Sequence, residues 1–247
     1  MYSSADSSRT PWWTDRDVVG NYFDPVSGRM FVVAQPAFAP ELWSAYLDGA
    51  RRSYRRHGVE GAVDFARVRS GASTSLFFAV VEPDGQVVGG MRVQGPYTHV
   101  EQAYAIREWA GREGTDELRR QIARRLDDGV IEIKAVWVNR DAARHGEVTA
   151  GLARAFVHSL HLMDVRYAFC TAASHAVPRW QSSGGVVNSD VTPVPYPDER
   201  YVTWLIWWDR ENVFGLIAGD QVRMIMSESG ELFSRPTVTP GVSPSVV

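Results

Sequence analysis

The chain has 247 residues, of which 45% are hydrophobic and 22% are charged, and its formal net charge is −3. This composition is typical of a globular domain and excludes a disordered regulator, a collagen-like fibre and a disulfide-rich secreted module. With 26 basic against 29 acidic residues, no basic field indicates a nucleic-acid partner. Cys170 is the only cysteine and Lys134 the only lysine. An intramolecular disulfide and a multi-cysteine zinc site are therefore excluded.

The two ends of the chain have the composition of tails. Residues 1–28 mix Ser, Asp, Pro and Gly, which predicts a flexible N-terminal segment, and the Pro/Ser/Val sequence of 236–247 predicts a disordered tail. Between them we expect one domain at 29–215 and a C-terminal hairpin extension at 216–235. No apolar run reaches the ~18 to 20 residues of a membrane span, and no apolar signal-peptide centre follows Met1. We therefore expect a cytoplasmic protein.

Hydrophobic periodicity alternates between strand and helix along the chain. Strands are predicted at 30–34, 76–82, 86–93, 130–138, 166–171 and 201–208, with a last hairpin at 221–226 and 231–234. Helices are predicted between Pro40 and Gly58, around 118–126, at 149–163 and at 175–183. This order describes an α/β or α+β domain with a mixed sheet.

The strand at 130–138 continues into the most informative segment. Its alternation predicts one face with Glu132, Lys134 and Val136, and a second face with Ile133, Ala135 and Trp137. A loop then leads to the start of the helix at 149–163. Free backbone N–H groups at a helix start favour a phosphate or pyrophosphate, although many strand–loop–helix units bind nothing there. His158 and His161 are spaced for a shared metal, but no third ligand is near in sequence, and we predict no metal site.

Together with the preceding hairpin and the short helix that ends at Gly184 and Gly185, this order resembles the GNAT N-acyltransferase superfamily over roughly residues 40–210. The resemblance implies a mixed, mostly antiparallel sheet flanked by helices, with the strand at 130–138 splayed from that at 166–171 around an acyl-pantetheine arm. The residues that it places on this arm are Val138, Arg144, His145, Gly146, Val148 and Thr149. The chain departs from the superfamily pattern where Glu147 and Thr149 replace loop glycines and Trp180 replaces a catalytic tyrosine.

Further motifs are similar to the autoinducer (acyl-homoserine lactone) synthases and N-acyl amino acid synthases within this superfamily. They are the basic helix end at 51–56, the acidic Glu60 and Asp64, the hairpin sequence Gly-Gly-Met-Arg-Val at 89–93, and Glu-Ile-Lys-Ala at 132–135. Ala135 stands where those enzymes have arginine. The resemblance implies acyl loading from an acyl carrier protein, with the arginines of 51–56 as its docking surface; an ordinary solvated helix face is the alternative.

The reaction implied by this resemblance assigns roles to individual residues. Glu132 is the expected general base for the attacking amine, and the alternative is a structural pair with an arginine. The backbone N–H near Val138 is expected to bind the thioester oxyanion. Arg92 is expected to bind a substrate carboxylate, and the alternative is a surface salt bridge. The tryptophans are expected either to line an acyl pocket or to pack in the core: Trp137, Trp180, Trp204, Trp207 and Trp208.

The sequence thus predicts an N-acyltransferase that moves an acyl group from an acyl-CoA or acyl-carrier-protein thioester to an amine of a small molecule. Two alternatives stay open: a catalytically degenerate GNAT-like binding module, and an ordinary acetyl-CoA-dependent N-acetyltransferase. A homodimer is a further candidate, because several tryptophans look exposed in the sequence.

Overall fold

The computed structural model describes residues 17–234, which form a nine-stranded sheet with helices on both faces. The strands are β1 Gly20–Asp24, β2 Arg29–Ala34, β3 Leu76–Val81, β4 Val87–Gln94, β5 Val130–Val138, β6 Tyr167–Ala173, β7 Val186–Val187, β8 Val194–Pro195 and β9 Val202–Asp209. The α-helices are α1 Pro40–Arg56, α2 Phe65–Val68, α3 Ala105–Glu108, α4 Thr115–Ala123, α5 His145–Leu162, α6 Val177–Gln181 and α7 Gly219–Phe233. Single 3-10 turns lie at Glu60–Ala62, Val100–Gln102, Leu126–Asp128 and Val213–Gly215.

The strands are ordered β1-β2-β3-β4-β5-β6-β9-β7, and β8 also pairs with β9. Within the described residues every pairing is antiparallel except that of β5 with β6. The parallel pair requires a crossover connection, which α5 provides. The predicted mixed, mostly antiparallel sheet flanked by helices is therefore confirmed.

Side chains from the two faces of the sheet enter separate cores. On one face α5, α6 and α7 cover a core that includes Phe156, Trp180 and Trp208. On the opposite face α1 covers β2 to β4, and α3 with α4 covers the start of β5 together with β6 and β9. These two groups of helices lie side by side on the second face of the sheet, and a gap remains between them.

The sequence explains the two long helices. Pro40 occupies the first turn of α1, where its missing N–H costs nothing. Gly58 follows the end of α1 with a φ of +67°, a conformation that glycine adopts without steric cost. In α5 the side chains from Val148 to Ser159 are buried almost all round, so this helix packs more deeply than a surface helix with one apolar stripe. None of the helices within 17–234 is long and apolar enough to span a membrane.

A β-bulge interrupts β5 and overturns the predicted alternation of its side chains. Trp137 pairs with Gly90 and Lys134 with Arg92, so that two β5 residues lie opposite one β4 residue. Ala135, within the bulge, has a φ of +50°. Because the extra residue shifts the period, Trp137 packs under α1 while Ile133 packs against the α5 side. The prediction that these two side chains share a face is wrong.

The structure also corrects two predictions about the ends. The hairpin predicted at 221–226 and 231–234 is the helix α7. Its residues Ile225, Glu228 and Leu232 are buried at helical spacing, and a helix satisfies its backbone hydrogen bonds without a partner strand. The N-terminal segment 1–28 contains the strand β1 at Gly20–Asp24, while its residues 1–16 and the predicted tail at 236–247 lie outside the described residues.

Buried charges fasten α7 to the rest of the fold. The Arg154 guanidinium donates to Glu228 Oε1 at 2.7 Å and lies 3.2 Å from Asp24 Oδ1 of β1. Glu228 Oε2 lies 2.9 Å from His158 Nε2. His161 instead contacts the Val157 carbonyl. The two histidines therefore have separate partners and do not face a common point. No group of three metal-ligating side chains occurs within residues 17–234.

Candidate functional site

The parallel strands β5 and β6 separate halfway along their length. They pair from Val130 with Tyr167 to Ile133 with Cys170, and no pairing continues to Val138 and Ala173. Bulged strands bend and twist more strongly, and the bulge at Ala135 follows closely after the last paired residue. The Tyr46 hydroxyl fixes this bend by donating to the Ala135 carbonyl oxygen at 2.7 Å. The splay implied by the superfamily resemblance is confirmed.

A cavity of about 800 Å³ passes through this gap. On the α5 side its wall includes His145, Thr149 and Trp180. On the opposite face, between α1 and α3, its wall includes Arg92 and Glu108. The gap therefore connects a polar and aromatic chamber on one face of the sheet with the start of α5 on the other.

The bulged strand offers a backbone donor to this gap. The Asn139 N–H donates to the Val88 carbonyl oxygen at 2.7 Å. Since hydrogen-bonded and non-hydrogen-bonded pairs alternate in an antiparallel ladder, the preceding Val138 N–H points away from β4. That is the side from which β6 has separated, so no strand pairs with Val138 there.

The residues predicted to hold a pyrophosphate are only partly brought together. The helix α5 begins at His145, earlier than predicted, after Arg144 with a φ of +55°. His145 and Thr149 line the cavity, and the Thr149 hydroxyl donates to the His145 carbonyl oxygen at 2.8 Å. Arg144 is exposed beside Glu147, 3.7 Å away.

The other two loop residues do not line the cavity. Val148 is fully buried in the core beneath α5, so it shapes the fold rather than a ligand surface. Gly146 borders a separate, smaller cavity of about 490 Å³ beside Asp220 and Arg223. Arg140, which the sequence did not single out, lines the main cavity.

Arg92 is a buried cation without a carboxylate partner among the described residues. It is 3% exposed, and its Nη1 donates to Thr74 Oγ1 at 3.2 Å while its Nε has no hydrogen-bond partner. The alternative of a surface salt bridge is therefore wrong. A buried guanidinium with spare donors that borders a cavity fits an anionic ligand group.

Glu132 is fully buried and saturated with donors. Its Oε2 accepts from the Tyr97 hydroxyl at 2.8 Å and the Tyr104 N–H at 2.6 Å, and its Oε1 accepts from the Ala105 N–H at 3.0 Å. Burial raises the pKa of this carboxyl, while the ammonium of Lys134 opposes the rise. Glu132 is not part of the cavity wall, and its catalytic role stays a prediction.

Lys134 links Glu132 to a second carboxylate that the sequence did not reveal. Its Nζ forms an ion pair with Glu108, lies 3.6 Å from Glu132 Oε1 and donates to Thr171 Oγ1 at 3.0 Å. Burial lowers the pKa of Lys134, but both carboxylates outweigh it and raise the pKa overall. Lys134 is therefore charged, and it cannot accept a proton at neutral pH.

Two of the five tryptophans considered for an acyl pocket line the cavity. Trp180 is 7% exposed and packs on Phe156 with ring centroids 4.9 Å apart, and Trp137 borders the cavity from the bulged strand. Trp204, Trp207 and Trp208 lie elsewhere on β9, outside the cavity wall. The core interpretation holds for Trp207 and Trp208.

Most residues of the polar part of the cavity between α1 and α3 were not predicted from the sequence. Glu108 and Tyr104 follow β4 in a stretch without clear periodicity, and Tyr196 comes from the loop between β8 and β9. Tyr54 lies on α1, near the end of the helix predicted between Pro40 and Gly58, and nothing in its sequence surroundings indicates a site. The common feature of these residues is a position in the cavity wall, which depends on contacts between residues distant in sequence.

The fold is GNAT-like, as the sequence resemblance implies. Its structure resembles the CoA-dependent acyl-homoserine lactone synthase BjaI, solved with SAM and isopentyl-CoA, at a TM-score of 0.54 and 14% identity over 82% of this chain and 90% of that one. It also resembles FeeM, an N-acyl amino acid synthase from uncultured soil microbes, at a TM-score of 0.51 and 14% identity over 71% and 90%. The chain thus has the fold of the autoinducer synthase branch.

Sequence similarity then identifies the family. The chain is 44% identical over 201 residues to the uncharacterized proteins Rv1356c of Mycobacterium tuberculosis and Mb1391c of Mycobacterium bovis, which covers 81% of this chain and 76% of theirs. It belongs to the family of these mycobacterial proteins. No protein-family profile matches the chain.

Proposed function

We propose that this protein is an N-acyltransferase that moves an acyl group from a thioester to the amine of a small molecule. The observation that carries the proposal is the continuous cavity between the diverging halves of β5 and β6. Acyl transfer needs two substrates to meet with their reacting atoms aligned, and a passage through the sheet lets them enter from opposite faces.

The thioester enters from the α5 side in this proposal. Diverging strands leave backbone groups unpaired, and a pantetheine arm with its amides can hydrogen-bond to such edges. The Val138 N–H then donates to the thioester oxygen as negative charge develops on it. At the start of α5 the positive end of the helix dipole and the side chain of Arg140 favour the phosphates.

The amine substrate enters from the chamber between α1 and α3. Arg92 supplies spare N–H donors to an anionic group, so we expect an acceptor that carries a carboxylate as well as the amine. The activities of BjaI and FeeM, acyl-homoserine lactone synthesis and N-acyl amino acid synthesis, are consistent with such an acceptor.

Charge pairing on α1 favours acyl-CoA over acyl carrier protein as the donor. Arg51 and Arg55 form ion pairs with Glu60, and Arg56 pairs with Asp141. Three of the four arginines at this helix end are thus already matched by the protein's own carboxylates. An acidic carrier would have to compete with these pairs.

The test measures thioester binding and turnover. Isothermal titration with CoA, acetyl-CoA and decanoyl-CoA is expected to give binding that strengthens with chain length, and decanoyl-CoA with an amine mixture is expected to release thiol. Equal affinity for acetyl-CoA and decanoyl-CoA would favour the ordinary acetyltransferase. The absence of binding to any of the three would refute the proposal, and binding without turnover would favour the degenerate module.

A substitution in the gap provides a matched control. Ala173 lines the cavity on the part of β6 that does not pair with β5, and a phenylalanine side chain at this position would fill the cavity. We expect Ala173→Phe to weaken decanoyl-CoA binding at least about tenfold, which corresponds to about 1.4 kcal/mol. Ala66→Phe makes the same change at an exposed position of α2 and should leave the affinity unchanged.

A further inference from the structure

Glu108 is a buried carboxylate in the cavity wall, and one of its two oxygens has no partner. Its side chain is 2% exposed and lines the cavity, and its Oε2 has no hydrogen-bond partner. A buried carboxylate oxygen without a donor is costly, because its lost hydrogen bonds to water are not replaced. A ligand group that donates a proton or a hydrogen bond at this point would remove that cost.

The position of Glu108 is fixed by Lys134. Glu108 Oε1 accepts from the Lys134 ammonium, which is itself held by Thr171 Oγ1 and Glu132. One carboxylate oxygen is therefore occupied by the protein and the other remains free. Glu132, in contrast, accepts three hydrogen bonds and does not reach the cavity wall.

The surroundings of Glu108 suit a cationic amine. Tyr54, Tyr104 and Tyr196 line the same cavity, and tyrosine rings attract ammonium groups. The Lys134 Nζ already lies 4.9 Å from the centroid of the Tyr104 ring. Arg92, on β4, provides the opposite charge for the acceptor's anionic group.

From this geometry we propose that Glu108 binds the ammonium of the acceptor and is the general base that deprotonates it, an inference that rests on the proposed acyl transfer. The ammonium gives one proton to Glu108 Oε2 and becomes a neutral amine. The amine nitrogen then forms a bond to the thioester carbonyl carbon, and the tetrahedral intermediate collapses with cleavage of the C–S bond. The second nitrogen proton goes to the leaving sulfur, and Glu108 returns its proton to solvent.

The experiment uses the full chain with decanoyl-CoA and an equimolar mixture of the twenty L-amino acids. Thiol release reports turnover, and mass spectrometry identifies the acylated amino acid, which then serves as the acceptor for kinetics. We expect Glu108→Gln to lower kcat/KM at neutral pH by at least about 100-fold, because the base is lost. The affinity for decanoyl-CoA should stay within about twofold, because Glu108 faces the acceptor rather than the thioester, and Glu108→Asp should restore part of the activity.

The pH profile separates a lost base from a damaged fold. Without Glu108 only the amine that is already neutral in water reacts, so log kcat/KM of Glu108→Gln should rise with a slope of about one per pH unit between about pH 7 and about pH 9. Glu113→Gln makes the same change at an exposed position of the same connection and should behave as wild type. Glu132→Gln tests the base predicted from the sequence, and it should lack this slope.

The outcomes separate the role of Glu108 from the proposed acyl transfer. Full activity of Glu108→Gln in an active enzyme, or a loss of activity that does not depend on pH, would overturn the assignment of Glu108 alone. A wild-type chain that binds decanoyl-CoA but acylates none of the amino acids would overturn both this assignment and the acceptor class. A wild-type chain that binds no thioester would overturn the proposed function itself.

Discussion

Arg92 provides a prediction in which stability and function change in opposite directions. Its guanidinium is buried without an ion pair within the described residues, and its Nε has no partner. Replacement by methionine keeps a similar apolar length and removes the charge. The variant loses the hydrogen bonds of Nη1 to Thr74 Oγ1, at 3.2 Å, and to the Ser73 carbonyl oxygen, at 3.5 Å, together with the expected contact to the acceptor's carboxylate.

The magnitude follows from two opposing terms. A hydrogen bond to a charged group contributes about 1.5 to 3 kcal/mol. Removal of a buried and unpaired charge relieves a penalty of several kcal/mol, and replacement of buried ionic groups by apolar side chains is stabilising by up to about 4 kcal/mol. We therefore expect Arg92→Met to raise the free energy of unfolding by about 1 to 3 kcal/mol. In a domain of this size each kcal/mol raises Tm by about 2 to 4 °C.

The assay is urea unfolding of wild type, Arg92→Met and a matched control. Arg29 is equally buried, at 4% exposure, but its guanidinium bonds Glu82 Oε1 at 2.6 Å and the Ser27 carbonyl at 2.6 Å. Arg29→Met breaks these contacts and should lower the free energy of unfolding by about 3 kcal/mol. If Arg92→Met is destabilised as much as Arg29→Met, the inference that Arg92 binds an anionic ligand is refuted.

Two further predictions concern the sheet around the cavity. A Cβ at Gly90 would lie 2.3 Å from the Phe78 carbonyl oxygen, so Gly90→Ala should lower the free energy of unfolding in urea by about 3 kcal/mol, whereas Gly61→Ala, with open space around it, should change it little. Burial strongly raises the pKa of the Cys170 thiol, so labelling by iodoacetamide at neutral pH should be at least about tenfold slower in the native chain than in urea. Equal rates would contradict this thiol environment.

The main elements of the fold could be predicted because their residues report local periodicity. The strand at 130–138 has the predicted bounds, and α1 begins at the predicted Pro40. The prediction of a C-terminal hairpin was wrong for a specific reason. Glu228 is an acidic residue type, which obscured the helical spacing of Ile225 and Leu232, and its burial depends on contact with Arg154 of another helix.

The candidate site also contains residues that could be predicted from the sequence and residues that could not. The sequence singled out Arg92 through its resemblance to the autoinducer synthases and Lys134 as the only lysine. It also predicted that Lys134 and Glu132 share a face of their strand, and the structure brings the two side chains within 3.6 Å. It could not select Glu108, because one glutamate in a polar connection looks like any other before its neighbours are known.

Composition and periodicity were enough to predict a globular domain, the order of most strands and helices, and the positions of the single lysine and the single cysteine on consecutive strands. Periodicity records only which face of an element is apolar, and this information is local. The position of the bulge in β5, the point at which β6 separates from it and the carboxylate in the cavity wall are seen only in the folded chain. These features arise from contacts between distant segments, such as the Tyr46 hydroxyl on the Ala135 carbonyl, and no local pattern encodes them.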